Sequence, residues 1–135
     1  MASLRALWRI LRVIGHLALG LWMVRRRFPH MRSDAREAYV QQWSQRMLAI
    51  IGVALEVQGT PPTQGPLLLV ANHISWLDIW VLHACGFCRF VSKAEVHHWP
   101  VVGALAQGAG TLFIERASRR DALRVVHHMA QALQA

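Results

Sequence analysis

Asn72-His73-Ile74-Ser75-Trp76-Leu77-Asp78 follows the apolar run Leu67-Leu68-Leu69-Val70, and the reading of this stretch decides the fold. The apolar run reads as a buried strand. Ser75 is a suitable N-cap, and Trp76, Leu77, Ile79, Trp80, Val81 and Leu82 behind it predict a helix from Ser75 to about Ala84. On one ideal helix, positions i and i+5 point about 140° apart. His73 and Asp78 therefore meet only if the histidine lies in the turn before the helix and the aspartate in its first turns. That arrangement puts a base and its orienter near a helix N-terminus at the carboxyl end of a strand, where open α/β sheets place their sites.

Working outward, residues 53–58, 88–92 and 111–114 read as further strands. Residues 35–51 read as a helix with Tyr39, Trp43, Met47, Ile50 and Ile51 near one face. The stretch from Gly59 to Pro66 is the clearest turn. Residues 95–108 predict a short helix. Ser118-Arg119-Arg120-Asp121 has capping-box spacing for a last helix. Strands alternating with helices predict an α/β sheet over 53–135, preceded by a helical segment over 1–52.

The 135 residues suit one small domain, 54% hydrophobic and 16% charged. The net charge of +8 is concentrated at the start. Residues 1–36 hold Arg5, Arg9, Arg12, Arg25, Arg26, Arg27, Arg32 and Arg36 against Asp34 alone. Arginines interleaved with Leu, Ile, Val and Trp point to membrane lipids, an anionic bilayer surface, as the partner. Nucleic acid is excluded as a partner, because its footprint would extend over the nearly neutral body. The apolar run over residues 13–24 would span only about 18 Å as a helix, against a hydrocarbon core of about 30 Å. Residues 3–24 therefore read as a helix lying in, or dipping into, one leaflet. Arg25-Arg26-Arg27 stands where a signal peptide would carry small residues.

Cys85 and Cys88 form a Cys-x-x-Cys pair, with His83, His97 and His98 nearby. A zinc site would need a fuller ligand set, and a redox pair would open a helix instead of following one. The pair reads as small apolar residues at a helix end, and no metal is expected.

Three patterns occur in order: Asn-His-x-Ser-Trp-x-Asp at 72–78, Val91-Ser92-Lys93-Ala94-Glu95, and Gly110-Thr111-Leu112-Phe113-Ile114-Glu115-Arg116. Together they resemble the glycerolipid acyltransferase family, typified by 1-acylglycerol-3-phosphate acyltransferases, from about residue 50 to residue 125. The resemblance implies a partial glycerolphosphate-acyltransferase-like sheet flanked by helices, behind a membrane-interfacial helical segment. It implies transfer of a fatty acyl group from acyl-CoA or acyl carrier protein to a lysophospholipid hydroxyl, with no cofactor beyond that donor. His73 would be the general base and Asp78 its orienter. Arg116 would bind the acceptor phosphate, with Lys93, Asn72, Ser75 and Glu115 also on the substrate side. Glu115 stands where the family often carries Asp. The expected location is the cytoplasmic face of the inner or plasma membrane. The family's later motifs, Phe-Pro-Glu-Gly-Thr/Ser and an apolar-Pro segment, do not occur here. The resemblance therefore covers the N-terminal portion of the family, and the alternative expectation is a catalytically incomplete membrane-binding fragment.

Overall fold

The computed structural model describes residues 2–60, 66–115, 126–127, 129–131 and 133. In chain order, α1 (Ala2–Arg26) leads through a 3₁₀ turn at Phe28–His30 into α2 (Ser33–Ile51). After an extended segment come α3 (Trp76–Cys85) and β1 (Val91–Lys93). A 3₁₀ stretch (Ala94–His98), α4 (Val102–Gly108) and β2 (Leu112–Ile114) complete the elements. Residues 126–127, 129–131 and 133 are helical.

The helices set the frame. One face of α1, at i, i+4 and i+8, carries His16, Gly20 and Val24. A Cβ on Gly20 would lie 2.8 Å from Trp43 Nε1 of α2. A Cβ on Gly108 of α4 would lie 2.5 Å from a Val24 methyl. Both contacts need a residue without a side chain. On α2, Gln41 and Gln45 each donate to the Ala84 carbonyl of α3, at 3.3 and 3.1 Å. Met47, Leu48 and Ile50 of α2 are buried together with Ala84 and Ile114. Gly52, at φ +81°, ends α2. The Val53 N–H there reaches the Leu48 carbonyl at 2.9 Å and the Gly52 N–H reaches Ala49 at 3.3 Å, a Schellman turn. The Arg9 guanidinium lies against Gly52. It therefore sits at the negative end of the α2 dipole.

The sheet is smaller than the sequence predicts. β1 and β2 pair in parallel, with Val91 opposite Leu112 and Lys93 opposite Ile114. They form a two-stranded sheet. Residues 53–58 and 67–71 are not strands among the described residues. An apolar run becomes a strand only beside a ladder partner. No described segment pairs with 67–71, and Leu68 and Val70 are exposed. The described fold is mostly helical around a minimal parallel pair.

Two further differences concern α1 and α4. The apolar run at 13–24 belongs to a continuous helix in which Leu4–Arg26 is long and apolar enough to cross a membrane. The length argument from the run alone therefore does not hold. The predicted short helix over 95–108 is split at Trp99–Val101. Val101 has φ +63° and ψ −57°. The Val102 N–H reaches the Pro100 carbonyl at 2.6 Å. This is a γ-turn, which a β-branched residue adopts only with strain.

Candidate active site

The site is built by the first turn of α3. Ser75 is extended at φ −148° and caps the helix, its Oγ accepting the Leu77 N–H at 3.2 Å. Asp78, three residues on, reaches back. Its Oδ2 accepts the Ser75 N–H at 2.8 Å and the Ile74 N–H at 2.7 Å. These reciprocal bonds form a capping box. The same Oδ2 lies 3.1 Å from Nδ1 of His73.

The chemistry follows from these contacts. The Ser75 N–H, then the Ile74 N–H, hold the Asp78 carboxyl below its usual range, and the His73 bond adds to them. Asp78 is therefore ionised near neutral pH and accepts a hydrogen bond from Nδ1–H. That fixes the neutral imidazole with its lone pair on Nε2. The His73 side chain is 61% exposed and that of Asp78 30%. A pair this open adds little as an ion pair. Its effect is orientation of an accessible base.

An apolar cavity begins in the same turn. Trp76 and Ile79, on either side of Leu77-Asp78, line an apolar, partly open cavity of about 160 Å³ between the four helices and the β1 segment. Val24, Trp43, Trp80 and Leu105 form other parts of its wall. Trp76 also packs on Trp99, ring centroids 5.6 Å apart. The first turn of α3 is thereby held to the end of the 3₁₀ stretch that follows Lys93.

The other predicted residues distribute as follows. Lys93 ends β1, and Glu115 follows its register partner Ile114, so the parallel pairing brings both to the carboxyl end of the sheet. Both are exposed. Asn72 is exposed in the segment entering α3. Ser75 Oγ is used as the helix cap. Arg116 and the Ser118–Asp121 cap lie outside the described residues. Cys85 and Cys88 are free thiols, and burial with the neighbouring Cys85 pushes the Cys88 thiol up, away from a reactive thiolate. His97 stacks edge-on against Phe113 at 5.0 Å. Two cavity-lining residues stand outside the predicted site, Ser44 with no signal in the local sequence pattern and His83 as a lone histidine on an apolar helix. Ser44 is 1% exposed and His83 4% exposed. Neither Ser44 Oγ nor His83 Nδ1 has a hydrogen-bond partner among the described residues.

A family model described as Acyltransferase matches residues 53–135. The chain is 44% identical over 124 residues to a lyso-ornithine lipid O-acyltransferase of Pseudomonas aeruginosa, covering 87% of this chain and 48% of that protein. It is 39% identical over 103 residues to a 1-acyl-sn-glycerol-3-phosphate acyltransferase of Neisseria meningitidis, covering 75% of this chain and 40% of that protein. It is 34% identical over 89 residues to human 1-acyl-sn-glycerol-3-phosphate acyltransferase alpha, covering 62% of this chain and 31% of that protein. The chain thus spans less than half the length of these relatives. No solved structure matches it. With the matched region containing the His73–Asp78 turn and both strands, the chain belongs to the glycerolipid acyltransferase family.

Proposed function

We propose that this chain carries the acyl-transfer site of a membrane-associated lysolipid O-acyltransferase. The observation that carries the reading is the His73 Nδ1–Asp78 Oδ2 contact at 3.1 Å, with Asp78 anchored by two backbone N–H groups. Nε2 of His73 takes the proton from an acceptor hydroxyl as its oxygen attacks the carbonyl of an acyl thioester. Asp78 steadies the imidazolium that forms. The tetrahedral intermediate collapses, the C–S bond breaks, and the thiolate takes the proton back from Nε2. The products are the ester and the free thiol of coenzyme A or acyl carrier protein.

The remaining roles follow from position. The apolar cavity beside Trp76 receives an acyl chain. Lys93, Glu115 and Asn72 face the acceptor, with Arg116 as the phosphate ligand. The exposed stripe of α1, including Leu4, Leu7, Trp8, Leu11 and Trp22, rests in the bilayer on the cytoplasmic side. From His16 to Val24 the other face of α1 packs on the domain, which favours an in-plane helix.

Two acceptors are compatible with this chemistry. A lysophospholipid such as 1-acylglycerol-3-phosphate suits Arg116 and Lys93. Lyso-ornithine lipid is the second reading, favoured by the 44% identity to the Pseudomonas protein so named. The test is thiol release by the purified protein in lipid micelles, with acyl-CoA or acyl carrier protein as donor and each acceptor in turn. The expected result is acceptor-dependent release that falls roughly 10²–10⁴-fold in His73→Ala. Release within threefold of wild type in that variant overturns the assignment.

A further inference from the structure

Trp76 belongs both to the wall of the cavity and to the outer surface. It lines the cavity, yet it is 49% exposed. Its packing partner Trp99 is 46% exposed, and Val101, two residues on, is 37% exposed. Trp99-Pro100-Val101 carries no charged side chain. This turn is both held and strained. The Gly103 N–H donates to the Trp99 carbonyl at 2.9 Å and the Leu105 N–H to the Val101 carbonyl at 3.0 Å, so the first turn of α4 fixes it from behind. Val101, at φ +63°, is nonetheless presented outward. A strained β-branched residue that gains so little cover within the molecule points to a contact outside it.

The place of the turn beside α1 indicates the occupant. Gly20 of α1 meets Leu105 of α4, and Val24 meets Gly108. The two helices therefore advance together, which sets the start of α4 level with Leu17. Leu17 and Val102 both line the cavity. Val24, Leu17 and Ile10 recur every seven residues, so they stay within about 40° of one line along α1. Ile10 is 55% exposed, and Ile14, one turn on, is 57% exposed. The exposed apolar stripe of α1 thus continues on the flank that meets α4 and the turn before it. An indole joins an apolar body to a polar N–H, which is why tryptophan collects at the membrane–water boundary. We propose that Trp76, Trp99 and Val101 form a second contact with the lipid bilayer interface and set the mouth of the cavity against the lipid. The inference rests on the reading that α1 lies in the bilayer.

The test reads depth and affinity, without turnover. The purified protein is bound to vesicles of phosphatidylcholine and phosphatidylglycerol, with bromine on the phosphatidylcholine chains to quench nearby tryptophan. Trp99→Phe keeps an aromatic ring against Trp76 and removes the reporter. The expected result is that the quenched share of the fluorescence falls in Trp99→Phe, as it does in Trp8→Phe of α1. At high salt, Val101→Glu should weaken co-sedimentation about fivefold or more relative to Gln42→Glu, which adds the same charge at an exposed site of α2. If Trp8 is quenched and Trp99 is not, the turn faces water and the proposal is overturned, while the α1 contact stands. Equal sedimentation of Val101→Glu and Gln42→Glu overturns it as well. If neither tryptophan is quenched, the reading of α1 fails and the second contact with it. If the protein self-associates without vesicles and Val101→Glu abolishes this, the patch is an interface between copies of the chain and the proposal is overturned.

Discussion

Trp43 and His16 exchange hydrogen bonds across the α1–α2 interface. The Trp43 indole N–H donates to the His16 carbonyl at 3.2 Å, and His16 Nε2–H donates to the Trp43 carbonyl at 2.9 Å. The two rings stack with centroids 4.6 Å apart, tilted by 11°. Two carbonyls that helical bonding would otherwise share are tied across the interface, and the helix with the exposed apolar stripe is locked to the domain. Gly20 lies one turn along α1, directly under the indole.

The tightness of that contact makes Gly20→Ala a test of the docking. A methyl there would meet Trp43 Nε1 at 2.8 Å and Cε2 at 3.1 Å. The indole is held by its bonds to α1, so it has little room to move. Overpacking of this kind costs about 1–3 kcal/mol. Thermal denaturation should show a lower Tm, and limited proteolysis should cut sooner between α1 and α2. Gly15→Ala, with nothing within 4 Å, should gain slightly in helix propensity and serves as the control.

Ser75 and Asp78 separate capping from catalysis. Ser75→Ala removes a cap worth about 1 kcal/mol, while the Asp78 bonds to the Ser75 and Ile74 N–H groups survive. It should lower Tm with a small loss of turnover. Asp78→Ala removes the cap and the imidazole anchor together, so Tm and turnover should both fall. His73→Ala should lower turnover alone. Calorimetry and thiol release on the three variants check the pattern, and a fully active Asp78→Ala would contradict the orienting role.

Acid should act on the fold through His83 before it acts through Asp78. The folded pKa of His83, about 4, lies below its usual 6.5 because burial disfavours the imidazolium. A depressed folded pKa means the unfolded chain binds the proton first. The contribution of His83 is fully present above about pH 6.5 and is lost as pH falls toward 4, by ~3 kcal/mol in all. Asp78 also has a depressed pKa, and its share is lost at lower pH, below the usual carboxyl value of 3.8. Urea denaturation across pH 4 to 7 should show the first loss in wild type and a smaller one in His83→Phe, in which buried His16, whose pKa burial also lowers, still titrates.

What the sequence discloses follows how local each signal is. The start of α3 is legible because the cap of Ser75 and the reach of Asp78 are settled within four residues. The helix over 33–51 is legible from its spacing, and the runs at 91–93 and 112–114 find each other as strands. Residues 67–71 were misleading because an apolar run states only that it wants cover, while pairing depends on a distant partner. Arg9 read as a lipid-facing charge, yet it lies at the C-terminal end of α2, a neighbour visible only in three dimensions. The cavity was equally hidden. Its walls come from four helices, and Ser44 gives no sign in sequence that its hydroxyl is unpaired. His83, a lone histidine on an apolar helix, was the one available hint.

The exposed stripe of α1 predicts how the protein meets lipid. Leu7 and Leu11 are 54% exposed each and lie one turn apart. Inserting such a side chain contributes about 1.5–3 kcal/mol when fully buried. Leu7→Glu with Leu11→Glu should therefore weaken co-sedimentation with anionic vesicles at least roughly tenfold. Added salt should weaken wild-type binding only in part, since it screens the arginines and leaves the apolar contact. Binding abolished by salt alone would show a purely electrostatic attachment.

Recognition of the acceptor should divide between Lys93 and Arg116. The parallel register brings Lys93 and Glu115 to the same end of the sheet, and Arg116 is next in sequence. A charge-assisted bond to phosphate contributes about 1.5–3 kcal/mol, or roughly 10–150-fold in affinity. Arg116→Ala should raise KM for 1-acylglycerol-3-phosphate by an amount in that range and leave the donor KM nearly unchanged. Lysine at 116 should restore only part, because it lacks the planar fork that grips two oxygens. Lys93→Ala should give a smaller increase, since an ammonium acts as a single point charge. The acceptor lacking a phosphate supplies the control. With lyso-ornithine lipid, neither substitution should raise KM by the same factor. Equal effects on both acceptors would mean that these side chains position the site and do not read the phosphate. An unchanged KM in Arg116→Ala together with a large rise in Lys93→Ala would transfer the phosphate role to the end of β1.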